Sequence, residues 1–276
     1  MKMSDLFDGQ FGRFFGAAHQ DDPLWVFVHV PKTAGSSLNG ELQPILSPNH
    51  HIFINYATLD PAEAAQSYEQ LFDAAVDRFI DAAKSRRYRF CTGHINAPQL
   101  LRIAGALPHV RPVTLLREPV SRYISDYRYQ RSPMHPGHEA FRAAYPRIED
   151  YLRLESDWNK IATTLLPAHV REAADPAACV QWLLETYSFI GIQEHYDLSL
   201  HALSWCAGMP RRSRVRRRIN TPTPENEVAL SDELEAEVRA RNALDLAIYD
   251  AIAPQWDAIG DRLTAYLDRV APLPPS

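Results

Sequence analysis

Short apolar runs alternate with longer amphipathic stretches along most of the chain. LWVFVHV (24–30) is an apolar run bounded by turn residues and predicts a buried parallel strand. YRFCTGHI (88–95), RPVTLL (111–116) and YSFIGIQ (187–193) predict three more strands, and HIFINY (51–56) a short one at the sheet edge. Between them the apolar positions recur at helical spacing. Helices are expected over 36–46, entered through Ser36 or Ser37, and over 61–85, with Pro61 at the first position. Others are expected over 97–104, 118–131 and 195–208. Residues 131–186 read as a helical insert in pieces punctuated by proline. Ser231 starts a long final helix with a break or kink at Pro254.

Strands alternating with helices predict a three-layer α/β/α domain with a central parallel sheet. Such sheets bind ligands beyond the carboxyl ends of their strands. Three of the strands end in polar motifs there: Pro31–Ser37, Gly93-His94 and Arg117–Ser125. The expected layout is one domain over 1–276, with an N-terminal arm (1–22) and C-terminal helices (225–271).

Composition narrows the picture modestly. The chain has 276 residues, 46% hydrophobic and 23% charged, as expected of a soluble protein with a substantial core. The net charge of −5 argues against a general polyanion binder, so nucleic acid is not an expected partner. Cys91, Cys179 and Cys206 form no C-x-x-C pair, which points to free thiols in a reducing compartment. No continuous apolar leader or membrane-spanning run is present in the sequence, and a cytoplasmic setting is the default expectation.

The loop after the first strand reads PKTAGSS (31–37). A strand, a tight loop and a helix start together make an anion site, because the free N–H groups of the first turn face the ligand. Gly35 permits close approach, Lys32 adds charge, and Thr33, Ser36 and Ser37 offer hydroxyls. The order differs from the phosphate loop G-x-x-x-x-G-K-[ST]: here the lysine precedes the glycine. One phosphate or sulfate is expected rather than a triphosphate; the bland alternative is a surface turn capped by serine.

LLREPVSRYISDY (115–127) offers a second anion site, with Arg117 at a strand end and Ser125 on the following helix. Arg122 shares a face with Ser125, or is a solvated or carboxylate-paired arginine. His94 follows a strand on the same edge and suits a general base, since its unperturbed pKa lies near neutrality. A structural histidine capping the strand is the alternative there. His29 lies inside the first strand and reads as a core histidine under the loop. RRSRVRRR (211–218) is a solvated run, a nucleic-acid patch, or a basic loop over the site.

FVHVPKTAGSSL resembles the 5′-phosphosulfate loop of sulfotransferases that use 3′-phosphoadenosine 5′-phosphosulfate (PAPS). It is closest in form to the heparan sulfate 2-O-sulfotransferase and uronyl sulfotransferase group. The resemblance spans about residues 24–252 and implies a P-loop-NTPase-like fold with helical insertions. It implies that Pro31, Lys32, Thr33, Ala34, Gly35, Ser36 and Ser37 hold the phosphosulfate, and that Arg117 and Ser125 hold the 3′-phosphate. Arg218 and Asn220 are weaker implied contacts. His94 is implied as the base and Lys32 as the group that stabilises the departing phosphate, with no metal. Ala34 replaces a common glycine, a change that is tolerated if the position does not need positive φ. Thr92 replaces a histidine that the group carries before the glycine. The implied acceptor is a hydroxyl, on a glycan or glycoconjugate. A P-loop-like kinase using ATP, and a non-catalytic binder of anionic glycan or nucleic acid, are the alternative readings.

Overall fold

The computed structural model describes residues 1–59, 65–213 and 228–273. Its centre is a five-stranded sheet in the order β2-β3-β1-β4-β5, every pairing parallel. The strands are β1 (Leu24–Val28), β2 (Asn49–Ile52), β3 (Phe90–Gly93), β4 (Val110–Leu116) and β5 (Phe189–Ile192). Flanking helices complete the α/β fold expected from the alternating pattern. β1 is buried at every position because both faces are covered, which is why it reads as an unbroken apolar run.

The N-terminal arm forms α1 (Met3–Phe7) and α2 (Phe11–Ala18), whose Met3, Leu6, Phe14 and Phe15 join the main core. After β1 comes α3 (Gly35–Leu42). Then α4 (Tyr68–Ser85) begins later than the sequence suggests, at a Ser67–Gln70 capping box; Pro61 lies outside the described residues. α5 (Ala97–Ala106) starts at a second such box, Asn96 with Gln99. α6 (Pro119–Gln130) follows β4.

The insert supplies α7 (His138–Ala144), α8 (Ile148–Tyr151), α9 (Lys160–Leu165), α10 (Ala168–Arg171) and α11 (Pro176–Thr186). α12 (Tyr196–Cys206), α13 (Asp232–Arg241) and α14 (Ala243–Val270) complete the chain. The expected break at Pro254 is absent: α14 runs through it, and the interruption falls at Asn242 instead. Ile248, Ile252, Trp256, Ile259, Leu263 and Leu267 form one buried stripe on both sides of Pro254, so packing holds the helix together there.

α9 and α14 cap one another. The Asp245 carboxylate accepts from the Ile161 and Ala162 amides at 2.9 and 2.8 Å. In return the Asn159 side chain accepts from the Leu244 and Asp245 amides at 3.0 and 3.1 Å. Asn242 accepts from the Asn159 amide at 3.0 Å. Burial pushes the Asp245 carboxyl up to about 6 in spite of these donors. The three cysteines are buried and free. Among the described residues, no helix is long and apolar enough to cross a membrane.

The strand order places the candidate site. From β1 the chain moves toward β2, and from β4 toward β5 on the other side. Right-handed crossovers then send α3 and α6 to opposite faces, leaving a crevice at the carboxyl ends of β1 and β4.

Candidate active site

That crevice opens into a cleft of about 1450 Å³. It is lined by Pro31, Lys32, Ala34, Gly35, Ser36 and Ser37 from the first loop, by Arg117 and Ser125 from the second, and by His94 from the third. Three motifs whose lining residues lie up to 94 positions apart, from Pro31 to Ser125, thus share one cavity. The two anion loops are also bonded: the Arg117 guanidinium donates to the Lys32 carbonyl at 3.1 Å.

The first loop departs from expectation in three ways. Ala34 does take positive φ, +65°, and so does Lys32, +68°. Such conformations cost a non-glycine residue on the order of 1–3 kcal/mol each and concentrate at functional sites. Second, neither Ser36 nor Ser37 is the helix cap; Ala34 is, and it has no side-chain oxygen for the first turn, although its carbonyl accepts from the Ser37 amide at 3.0 Å. Third, Thr33 is fully buried and its hydroxyl donates to the Val30 carbonyl at 2.9 Å, so it braces the loop and does not line the cleft. Gly35 is required sterically, since a Cβ there would fall on the His29 ring.

The Lys32 ammonium lies over the Tyr129 ring, 4.0 Å from its centre. Burial pushes its pKa down to about 8; Asp126 pulls it up, while Arg117 and Arg122 press it down. Burial also holds Arg117 below its usual value, against Glu194, with Arg122 and Arg128 adding like-charge repulsion.

Arg122 is turned away from the cleft. It is fully buried and donates to Asp126 at 3.0 Å, the carboxylate pairing among its open readings. Asp126 itself reaches the cleft wall. The spacing of three from Ser125 did not bring Arg122 to that residue's side, because its i+4 neighbour is a carboxylate.

His94 keeps an open face to the cleft while protein surrounds the rest of its ring. Its Nδ1 pairs with the His29 carbonyl at 3.0 Å. A carbonyl only accepts, so Nδ1 carries the proton and Nε2 keeps a free lone pair. Burial lowers the His94 pKa, and Lys160 adds to that; the carbonyl bond and Asp126 oppose it. The imidazole is therefore neutral at physiological pH and able to accept a proton. Gly93 is needed beneath it: a Cβ there would meet the Ile52 carbonyl of β2 at 2.9 Å.

His29 is no core histidine. It stands one residue beyond β1, lines the cleft, and stacks on His94 with ring centres 4.4 Å apart. Thr92 is buried in the sheet, away from the cleft. The second imidazole beside the candidate base thus comes from β1 and not from position 92.

The cleft also contains residues that sequence reasoning missed. Ser121 and Arg128 extend the Ser125 face of α6 at spacings of four and three, a periodicity that was available in the sequence. Lys160, Thr163 and Thr164 come from α9, where no motif pointed to them. Arg218 and Asn220 lie outside the described residues, as does most of the basic run. Among the described residues no three His, Cys, Asp or Glu side chains are grouped as metal ligands.

No protein family matches the chain by sequence, and no curated protein does. Solved structures similar to the chain over most of its length include two sulfotransferases. One is a sulfotransferase from Alicyclobacillus acidocaldarius, 16% identical with a TM-score of 0.43, over 84% of this chain and 96% of that one. The other is mouse sulfotransferase SULT7A1 complexed with PAP, 13% identical with a TM-score of 0.37, over 94% of this chain and 90% of that one. Neither is described as a heparan sulfate 2-O-sulfotransferase.

Proposed function

We propose that the chain is a PAPS-dependent sulfotransferase acting on an acceptor hydroxyl of the carbohydrate class. The observation that carries this reading is the Arg117–Lys32 bond, which joins a strand-end arginine site to an uncapped, lysine-bearing helix start within one cleft. Two separated anion sites fit a nucleotide phosphorylated at both ribose ends better than a triphosphate chain. The motif resemblance points the same way.

In this reading the α3 start and Lys32 hold the 5′-phosphosulfate, while Arg117 and Ser125 hold the 3′-phosphate. His94 Nε2 takes the proton of the acceptor hydroxyl as the oxygen attacks sulfur. The bond from sulfur to the bridging oxygen breaks, and the Lys32 ammonium neutralises charge growing on that oxygen. Tyr129 parks the ammonium beside the site beforehand. The three free, buried thiols support a reducing, cytoplasmic setting.

The test is transfer of labelled sulfate from PAPS to a panel of glycans and small alcohols. His94→Ala should lower turnover by ~10²–10⁴ and spare cofactor binding. Calorimetry showing ATP bound as tightly as 3′-phosphoadenosine 5′-phosphate would sink the reading in favour of a kinase.

A further inference from the structure

We propose that Arg128 is a further ligand of the phosphate held by Arg117 and Ser125, closing a clamp that the two-residue motif leaves open. The inference rests on the sulfotransferase reading and extends its 3′-phosphate site.

Ser121, Ser125 and Arg128 are spaced by four and three residues on α6, so they lie one above another on one helical stripe. All three line the cleft, together with Arg117 from the end of β4. Arg128 is only half-buried as a residue, yet its Nε is sealed from solvent and has no hydrogen-bond partner among the described residues. A sealed, unpaired guanidinium nitrogen is costly unless an acceptor reaches it. Nor is Arg128 in an ion pair among the described residues; Arg122 on the same helix has Asp126 on one nitrogen, leaves two others sealed and unpaired, and does not line the cleft as Arg128 does.

The nearby carboxylates are committed elsewhere. Glu118 accepts from the Val120 and Ser121 amides at 3.0 and 2.7 Å, and Glu194 accepts from the Glu118 amide at 3.1 Å. Arg117 and Arg128 repel each other across the cleft wall. Two like-charged guanidinium groups beside a serine hydroxyl, without a shared carboxylate, form a receptor for a phosphate dianion. The fork of each arginine suits its oxygens. Because Glu118 occupies the first-turn amides of α6, the phosphate has to be held by side chains, which makes a second arginine useful.

The experiment compares wild type, Arg128→Ala and Arg128→Lys by calorimetry, with 3′-phosphoadenosine 5′-phosphate and adenosine 5′-monophosphate as probes. Thermal melts establish that the variants fold. Arg128→Ala should weaken the bisphosphate by about 10- to 100-fold and leave the monophosphate unchanged, with Arg128→Lys in between. Equal weakening of both probes, or no weakening, would overturn the clamp. A wild type that shows no preference for the bisphosphate would instead overturn the sulfotransferase reading beneath it. A preference that survives Arg128→Ala would remove Arg128 alone.

Discussion

The starts of α3 and α6 are both strand-to-helix turns on the same edge of the sheet, yet they are built in opposite ways. α6 begins conventionally: Pro119 takes the first position and the Glu118 carboxylate accepts from two first-turn amides. Its dipole is already answered by a negative charge from its own chain. α3 begins with Ala34, which has no side-chain oxygen and holds a left-handed backbone, two residues after a left-handed Lys32. One start is capped by a side chain of its own; the other is strained and has no side-chain cap. In the proposed function, backbone amides and Lys32 would form the receptor at α3, and side chains the receptor beside α6.

The comparison breaks most decisively at Ala34. Ala34→Asp would give α3 the cap that α6 has, placing a carboxylate where the anion should sit. Affinity for adenosine 5′-monophosphate should fall by ~100-fold, since a unit charge a few ångströms from a phosphate costs several kcal/mol at a protein surface. Undiminished affinity in calorimetry would show that the α3 start holds no anion.

The next effect is a pH dependence. Lys32, lowered to about 8, loses its charge as pH rises through that value. Affinity for the 5′-phosphate should drop roughly tenfold between pH 7 and 9, and Lys32→Met should flatten the profile. At the acid end, turnover should rise as His94 loses its proton, with a midpoint below the usual 6.5 because its pKa is lowered. A midpoint above 6.5 would contradict the desolvated, neutral imidazole.

Smaller effects sharpen the contrast from the stability side. Glu118→Ala uncaps α6 and should cost ~1 kcal/mol, read as a lower denaturant midpoint, with 5′-phosphate binding retained. Ala34→Gly relieves the left-handed alanine and should add up to ~1 kcal/mol. Opposite signs at the two positions would be hard to obtain if both starts served only the fold.

Much of this architecture could be read from the chain because its signals are local. Buried parallel strands are unbroken apolar runs; β1, β3 and β5 each lie within the segment expected for them, and β4 begins one residue earlier than expected, at Val110. β2 sits at the sheet edge as expected, but it spans Asn49–Ile52 and shares only His51 and Ile52 with the expected run 51–56. The three loop motifs reach one cleft because strand ends converge whatever lies between them. What escaped detection depended on tertiary context. Nothing local announces a left-handed alanine, since the cost is met by the rest of the loop. Arg122 sat at the right spacing, but its buried partner Asp126 lay one step further along. His29 looked like core because β1 ends two residues before its apolar run does. Lys160 belongs to an insert whose helices are held by distant groups, and Pro254 failed to break a helix whose stripe was buried on both sides.

The mutual capping of α9 and α14 has a consequence for anyone wishing to reshape the cleft. Lys160, Thr163 and Thr164 face the cleft from a helix whose start is closed by Asp245, about 80 positions later in the chain. The insert is therefore not a free-standing cassette. A graft of residues 131–186 onto a kindred sheet would need Asn242 and Asp245 to travel with it, or its cleft-facing wall would arrive without its hinge pin.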